Sequence, residues 1–175
     1  MVTGKRIKDF GIKAGAGFFF LGYFPLAPGT AGAAGGLLFY LILFLLSPGF
    51  IPQSADGVGW EYAVFLALFF LCGVFFSSRG EKLWKKRDSS YIVIDEAFSI
   101  FITFFCLPVT VPILAVGFVL NRIFDIYKPW PLRLWERIRG GWGVMLDDLG
   151  AGIYSNCALR IVIFCYSILF AGNNN

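Results

Sequence analysis

Residues 14–55 read AGAGFFFLGYFPLAPGTAGAAGGLLFYLILFLLSPGFIPQSA, a run of 42 residues without one charged side chain. Water-soluble chains break such runs with ionisable residues, so a stretch this long and this apolar belongs in hydrocarbon. The A-P-G-T of Ala27 to Thr30 divides it, because Pro and Gly interrupt a continuous helix. The first piece, 15–26, is too short to cross a bilayer and reads as a re-entrant or broken helix. The second, 31–46, crosses with help from its flanks.

The rest of the chain has the same character. Of 175 residues 58% are apolar and 15% charged, with 21 Phe, against roughly 25% charged in an ordinary soluble domain. Mean hydropathy is +0.73. The polar surface needed to cover a water-soluble globule is missing. The length suits one domain over 1–175, with about four spans of roughly 20 residues. The expected fold is all-α: a compact polytopic membrane helix bundle with broken or re-entrant helices.

Further apolar segments lie at 62–76, at 97–121, where Pro108 and Pro112 split the stretch, and at 150–171. Lys and Arg cluster at 5–13, 79–87 and 122–139. The positive-inside rule puts all three clusters on the cytoplasmic face. Residues 97–121 must then leave and return on one side as a re-entrant hairpin, and the uncharged tail 172–175 ends outside.

Several chemistries are excluded by composition. The chain has no His, which removes imidazole zinc sites, Ser-His-Asp triads and phosphohistidine intermediates. Its four Cys (Cys72, Cys106, Cys157, Cys165) lie in apolar stretches without C-x-x-C spacing and read as packing residues. The net charge of +4 is modest, the basic residues are not interleaved with aromatics, and nucleic acid is not an expected partner.

In so apolar a chain the informative residues are the charged ones at membrane edges. Asp95 and Glu96 directly precede an apolar segment; one acid suffices as a helix cap, and two exceed that need. In N-R-I-F-D-I-Y-K-P-W-P (121–131), Arg122, Asp125 and Lys128 recur every three residues and share a helix face, which could also be a salt-bridged interfacial helix. In G-G-W-G-V-M-L-D-D-L-G-A-G (140–152), a Gly-rich loop leads into Asp147 and Asp148, which could equally cap the last helix. Taken together, five carboxylates and two cations share one face, and repulsion among the acids calls for a cation. Oxygen donors without His or a usable thiolate select a hard ion such as Mg²⁺ or Mn²⁺. Arg122 and Lys128 are the residue types that neutralise phosphate. The combination points to phosphoryl chemistry.

Known phosphatase signatures narrow this further. The C-x5-R of tyrosine phosphatases fails, since six residues separate Cys72 from Arg79; no D-x-D-x-[TV] or Walker A motif occurs. The motifs A-P-G-T-x-G (27–32), D-E (95–96), R-x-x-D-x-x-K-P-W-P (122–131) and G-G-x-G-x-M-x-D-D-x-x-A-G (140–152) resemble, in order and spacing, those of the bacterial phosphatidylglycerophosphatase A family. The resemblance runs from about Phe18 to Gly152. Ala33 departs from the Ser that often follows the first motif, and Ser99 from the usual Gly of D-E-x-x-G; both positions bear on how closely the 31–40 and 97–107 helices approach.

The resemblance implies a Mg²⁺-dependent enzyme of the bacterial inner (cytoplasmic) membrane, its active site facing the cytoplasm. It would remove the terminal phosphate of phosphatidylglycerophosphate to give phosphatidylglycerol in phospholipid synthesis. The expected metal set is Asp95, Glu96, Asp147 and Asp148. Arg122 and Lys128 would hold phosphate, Asp125 would orient them or act as base, and Thr30 with the A-P-G-T turn would offer an anion site. The partner is a phospholipid substrate. The rival readings are a small membrane transporter and an anionic-lipid-binding protein without catalysis.

Overall fold

In a computed structural model the structure describes residues 2–135 and 137–171, and these form helices and turns without strands. The helices are α1 (Val2–Ala16), α2 (Pro28–Leu46), α3 (Trp60–Trp84), α4 (Ile94–Thr103), α5 (Val111–Tyr127), the single turn α6 (Leu132–Trp135) and α7 (Gly141–Ala171). The expected all-α membrane bundle is therefore what the chain forms. Three helices are long and apolar enough to cross a bilayer: α2, α3 and residues 141–169 of α7. The tail 172–175 lies outside the described residues.

The helix that the first motif opens is shaped by small residues. Pro28, fixed in φ, starts α2. The buried positions Gly32, Ala33, Gly36 and Tyr40 then form one face, while Leu38, Leu45 and Leu46 on the other sides are exposed to lipid. A Cβ on Gly36 would lie 2.6 Å from both Cα and O of Ala97 in α4. Backbone meets backbone there, as in small-residue packing between membrane helices. Ala33 is itself fully buried. Ser99 does not sit in that seam: its hydroxyl accepts a hydrogen bond from Asn121 Nδ2 of α5 at 2.6 Å. A Ser at this position is therefore compatible with close α2–α4 contact.

The stretch 97–121 folds as a hairpin, with α5 running back along α4. Asn121 Nδ2 also reaches Thr103 Oγ1 at 3.0 Å, and Asn121, Ser99 and Thr103 are all buried. The hairpin goes deep, for at its tip the Val109 N–H meets Gln53 Oε1 in the loop between α2 and α3. Backbone carbonyls beyond a helix end need partners, and α7 supplies them. Asn156 Nδ2 donates to the carbonyls of Thr103 and Phe105, both at 2.9 Å. Arg160 Nη2 donates to those of Phe105 and Cys106 at 3.0 and 3.1 Å.

Three sequence expectations change. Residues 15–26 form no re-entrant helix: α1 already occupies the basic stretch up to Ala16. The chain then turns through positive φ at Phe18, Phe19 and Phe20 into a short 3-10 turn, Leu21–Tyr23. Gly17 and Gly22 let this turn abut the carbonyl of Tyr91, and Val93 N–H bonds Ala16 O at 2.9 Å. The 62–76 span continues as helix to Trp84, so Arg79 is helical. The Gly-rich segment before Asp147 is not a loop, because α7 starts at Gly141. The N–H of Gly141 is capped by Ser78 Oγ at 2.9 Å, and a Cβ there would collide with the carbonyl of Val74. Glycine here admits close packing against α3.

Replacing Gly36 with Ala should lower stability by about 1–3 kcal/mol through overpacking, read as a lower melting temperature in detergent. In a background lacking the native cysteines, single cysteines at positions 85 and 139 should label from one side of the membrane and one at position 54 from the other.

Candidate active site

Four helix ends converge at the end of the bundle opposite the hairpin tip: the starts of α2, α4 and α7 and the end of α5. Asp95 and Glu96 lie in the first turn of α4, where aligned peptide dipoles favour negative charge. Asp148 comes from the second turn of α7. One carboxylate oxygen from each of these three acids lies within 4.8 Å of the others. Asp95 and Asp148 are only 6% and 3% exposed. Asp95 Oδ1 and Glu96 Oε2 are buried without a hydrogen-bond partner. Orphaned acceptor oxygens in such a setting are costly unless a cation satisfies them. Burial, with Glu96 and then Asp148 and Asp88 as neighbours, pushes the Asp95 carboxyl well above its ordinary range. Burial likewise lifts Glu96 to about 7, although Arg122 works against the shift.

The two cations flank this trio, each with its own acid. Arg122 Nη1 pairs with Asp125 Oδ2 at 2.8 Å, and Lys128 Nζ pairs with Asp147 Oδ2 at 2.5 Å. Asp147 Oδ1 also accepts the Asp148 N–H at 3.1 Å. Asp147 thus faces Lys128, and the close trio comprises three of the four acids expected to bind metal. Asp125 is among the charges nearest Asp148, which places it beside both Arg122 and the trio.

Lys128 does not continue the face of α5. The helix ends at Tyr127, and Lys128 follows as its cap with φ +43, because Pro129 cannot extend a helix. Arg133 closes this end, Nε donating to Lys128 O at 3.0 Å and Nη2 to Tyr127 O at 3.2 Å. The turn swings Lys128 away from Arg122 and towards α7.

The A-P-G-T turn contributes space more than hydrogen bonds. A Cβ on Gly29 would stand 2.5 Å from Glu96 Oε1 and 3.1 Å from Arg122 Nη2, so glycine allows carboxylate and guanidinium to close against the start of α2. Thr30, one residue on, is exposed. Sequence reasoning missed Asp88, whose charge acts on both Asp95 and Asp147. Its signal was slight: a single acid closing a basic run.

The trio suits a hard divalent cation, with oxygen donors, unsatisfied lone pairs and an excess of negative charge. Fold and site together define a polytopic membrane protein with a carboxylate-and-cation centre at one end of its bundle. The chain belongs to the phosphatidylglycerophosphatase A family, whose profile matches residues 15–163. It is similar to the phosphatidylglycerophosphatases A of Escherichia coli, 34% identical over 137 residues (77% of this chain, 73% of that one), and of Haemophilus influenzae, 34% over 131 residues (74% of each). It is also 35% identical over 154 residues to a Bacteroides thetaiotaomicron protein (86% of this chain, 92% of that one), whose name gives phosphatidylinositol-3-phosphatase as an unproven assignment. No solved structure matches.

Gly29→Ala should displace the Glu96 carboxylate and weaken divalent-cation binding about tenfold or more. Calorimetry on the purified chain reads this, with helical content by circular dichroism unchanged.

Proposed function

We propose that this protein hydrolyses the terminal phosphate monoester of phosphatidylglycerophosphate, giving phosphatidylglycerol and inorganic phosphate in bacterial phospholipid synthesis. The observation that carries the reading is the trio Asp95, Glu96 and Asp148, drawn from separate helices, with orphaned oxygens at its centre and Arg122 and Lys128 beside it. The family and two relatives' names support the same activity.

Asp95, Glu96 and Asp148 would hold Mg²⁺, and Asp147, committed to Lys128, would set that cation's position. The ion, when bound, supplies positive charge to the phosphoryl oxygens as bonds to phosphorus form and break. Arg122 grips phosphate as a fork and Lys128 as a point charge. Asp125, beside Arg122 and Asp148, would take a proton from the attacking water as its oxygen bonds to phosphorus, and would pass that proton to the glycerol oxygen as its bond to phosphorus breaks, releasing the alcohol and inorganic phosphate. Thr30, exposed at the start of α2, would offer a further donor to the anion.

The positive-inside pattern supports an active end facing the cytoplasm, in the inner membrane. The chain's acyl-anchored substrate would stay in the bilayer and present its headgroup at that surface. The Bacteroides relative's name favours a second lipid, an inositol phospholipid carrying a phosphate monoester. Side-by-side assay of both lipids separates the two.

Asp95→Asn and Asp148→Asn should each reduce phosphate release from phosphatidylglycerophosphate micelles about a hundredfold or more, and EDTA should stop it until Mg²⁺ is restored. Wild-type turnover in both variants would refute the assignment. A transporter or a passive lipid binder would release no phosphate at all.

A further inference from the structure

Next to the acid trio lies a cavity of about 790 Å³ with a different chemistry. Among the described residues its walls carry four cations, Arg87, Lys128, Arg133 and Arg137, and one acid, Asp88. Such a balance suits an anion and repels a metal ion. Lys128 belongs to both places: it lines the cavity while its Nζ touches Asp147. The cavity therefore adjoins the phosphate-gripping side of the site.

Two of the arginines are tied to the protein backbone and fix the cavity's shape. Arg133 closes the end of α5, and Arg87 Nη2 donates to Ile138 O at 3.2 Å. Arg137, between α6 and α7, holds its chain by an N–H bond to Leu134 O at 3.2 Å and lines the cavity from that side.

The remaining walls show how a ligand arrives. Ile126 and Tyr127 line the basic cavity and also a groove of about 370 Å³ along α5, lined otherwise by Phe118, Val119 and Ile123, with Arg122 as its one charged residue among those described. Ile126, Tyr127 and the nearby Trp130 are 75%, 72% and 78% exposed, an apolar and aromatic shoulder typical of the lipid–water boundary. The groove, the interfacial shoulder and the cationic chamber adjoin one another, so that apolar chain, glycerol and phosphates each find matching chemistry, with Arg122 on the groove side and Lys128 on the chamber side.

We propose that this cavity is a second anion subsite, which holds the inner phosphodiester of a glycerophospholipid while the outer monoester lies at Arg122 and Lys128. Arg137 is its specificity-determining residue. The inference rests on the phosphatase reading above and adds to it the basis of substrate choice. A site that grips only a monoester accepts any phosphate monoester of suitable size. A second cationic subsite at a fixed place selects headgroups with two phosphates.

The test uses the purified full chain in mixed micelles with phosphatidylglycerophosphate as substrate, inorganic phosphate as competing ligand, and the variants Arg137→Gln, Arg137→Lys and Arg139→Gln. Arg139 is exposed and lies outside the cavity, so its variant removes the same charge elsewhere. Arg137→Gln should raise KM about tenfold with kcat within about twofold, and Arg137→Lys should recover most of the loss. The inhibition constant of inorganic phosphate should move less than about twofold, since free phosphate occupies the monoester site. An unchanged KM in Arg137→Gln overturns the proposal. So does an equal rise in Arg139→Gln, which would mean general surface attraction, or a parallel rise in the phosphate inhibition constant, which would put Arg137 at the monoester. A wild-type chain that releases no phosphate would fell the phosphatase reading and this subsite together, whereas an active wild type with an insensitive Arg137 fells the subsite alone.

Discussion

Like charge gathered in an apolar bundle is the constraint around which the protein is built. Asp95, Glu96 and Asp148 converge where water is scarce, and their mutual repulsion opposes the packing that brings them together. Three features make the arrangement tolerable. Two of the acids sit at the start of α4, where the peptide dipoles favour them. Arg122 and Lys128 approach from the opposite helix end, and the proposed divalent ion would offset the charge that remains. Removing any one of these would leave buried charge without compensation.

Holding acids together against repulsion requires a frame that does not yield, and the frame is polar at its centre. Asn121 joins Ser99 and Thr103, fastening α5 to α4, while Asn156 and Arg160 of α7 take up the carbonyls left open at the hairpin tip. Those carbonyls are left without helical partners, so the side chains of α7 both satisfy them and anchor the hairpin. The glycines of α2 bring the backbones of α2 and α4 into contact on the other side. The active end is thus positioned by contacts that extend the full depth of the bundle.

The sequence showed much of this because charge is rare in it. With so few ionisable residues, Asp95, Glu96, Arg122, Asp125, Lys128, Asp147 and Asp148 stood out one by one, and their motifs carried the family. The break in the middle of the hairpin was legible in Pro108 and Pro112, which split the apolar stretch 97–121. Glycine misled most often. Gly140, Gly141 and Gly143 suggest a loop by composition, yet from Gly141 onward they serve close helix packing, a use that depends on neighbours distant in sequence. The division of labour between Asp147 and Asp148 was not legible either. Adjacent residues on a helix point about 100° apart, so one acid reaches Lys128 and its neighbour the trio, a choice settled by what each direction meets. Asp88 stayed hidden for the same reason: only the fold brings the end of a basic run to the edge of the acids.

Lys128 occupies a backbone conformation that an L residue adopts at a cost and glycine adopts freely. A glycine in its place would relax the end of α5 and at the same stroke take away the cation shared by the acid cluster and the basic chamber. Ease of the backbone and retention of that charge therefore pull in opposite directions at one residue, and the chain keeps the charge.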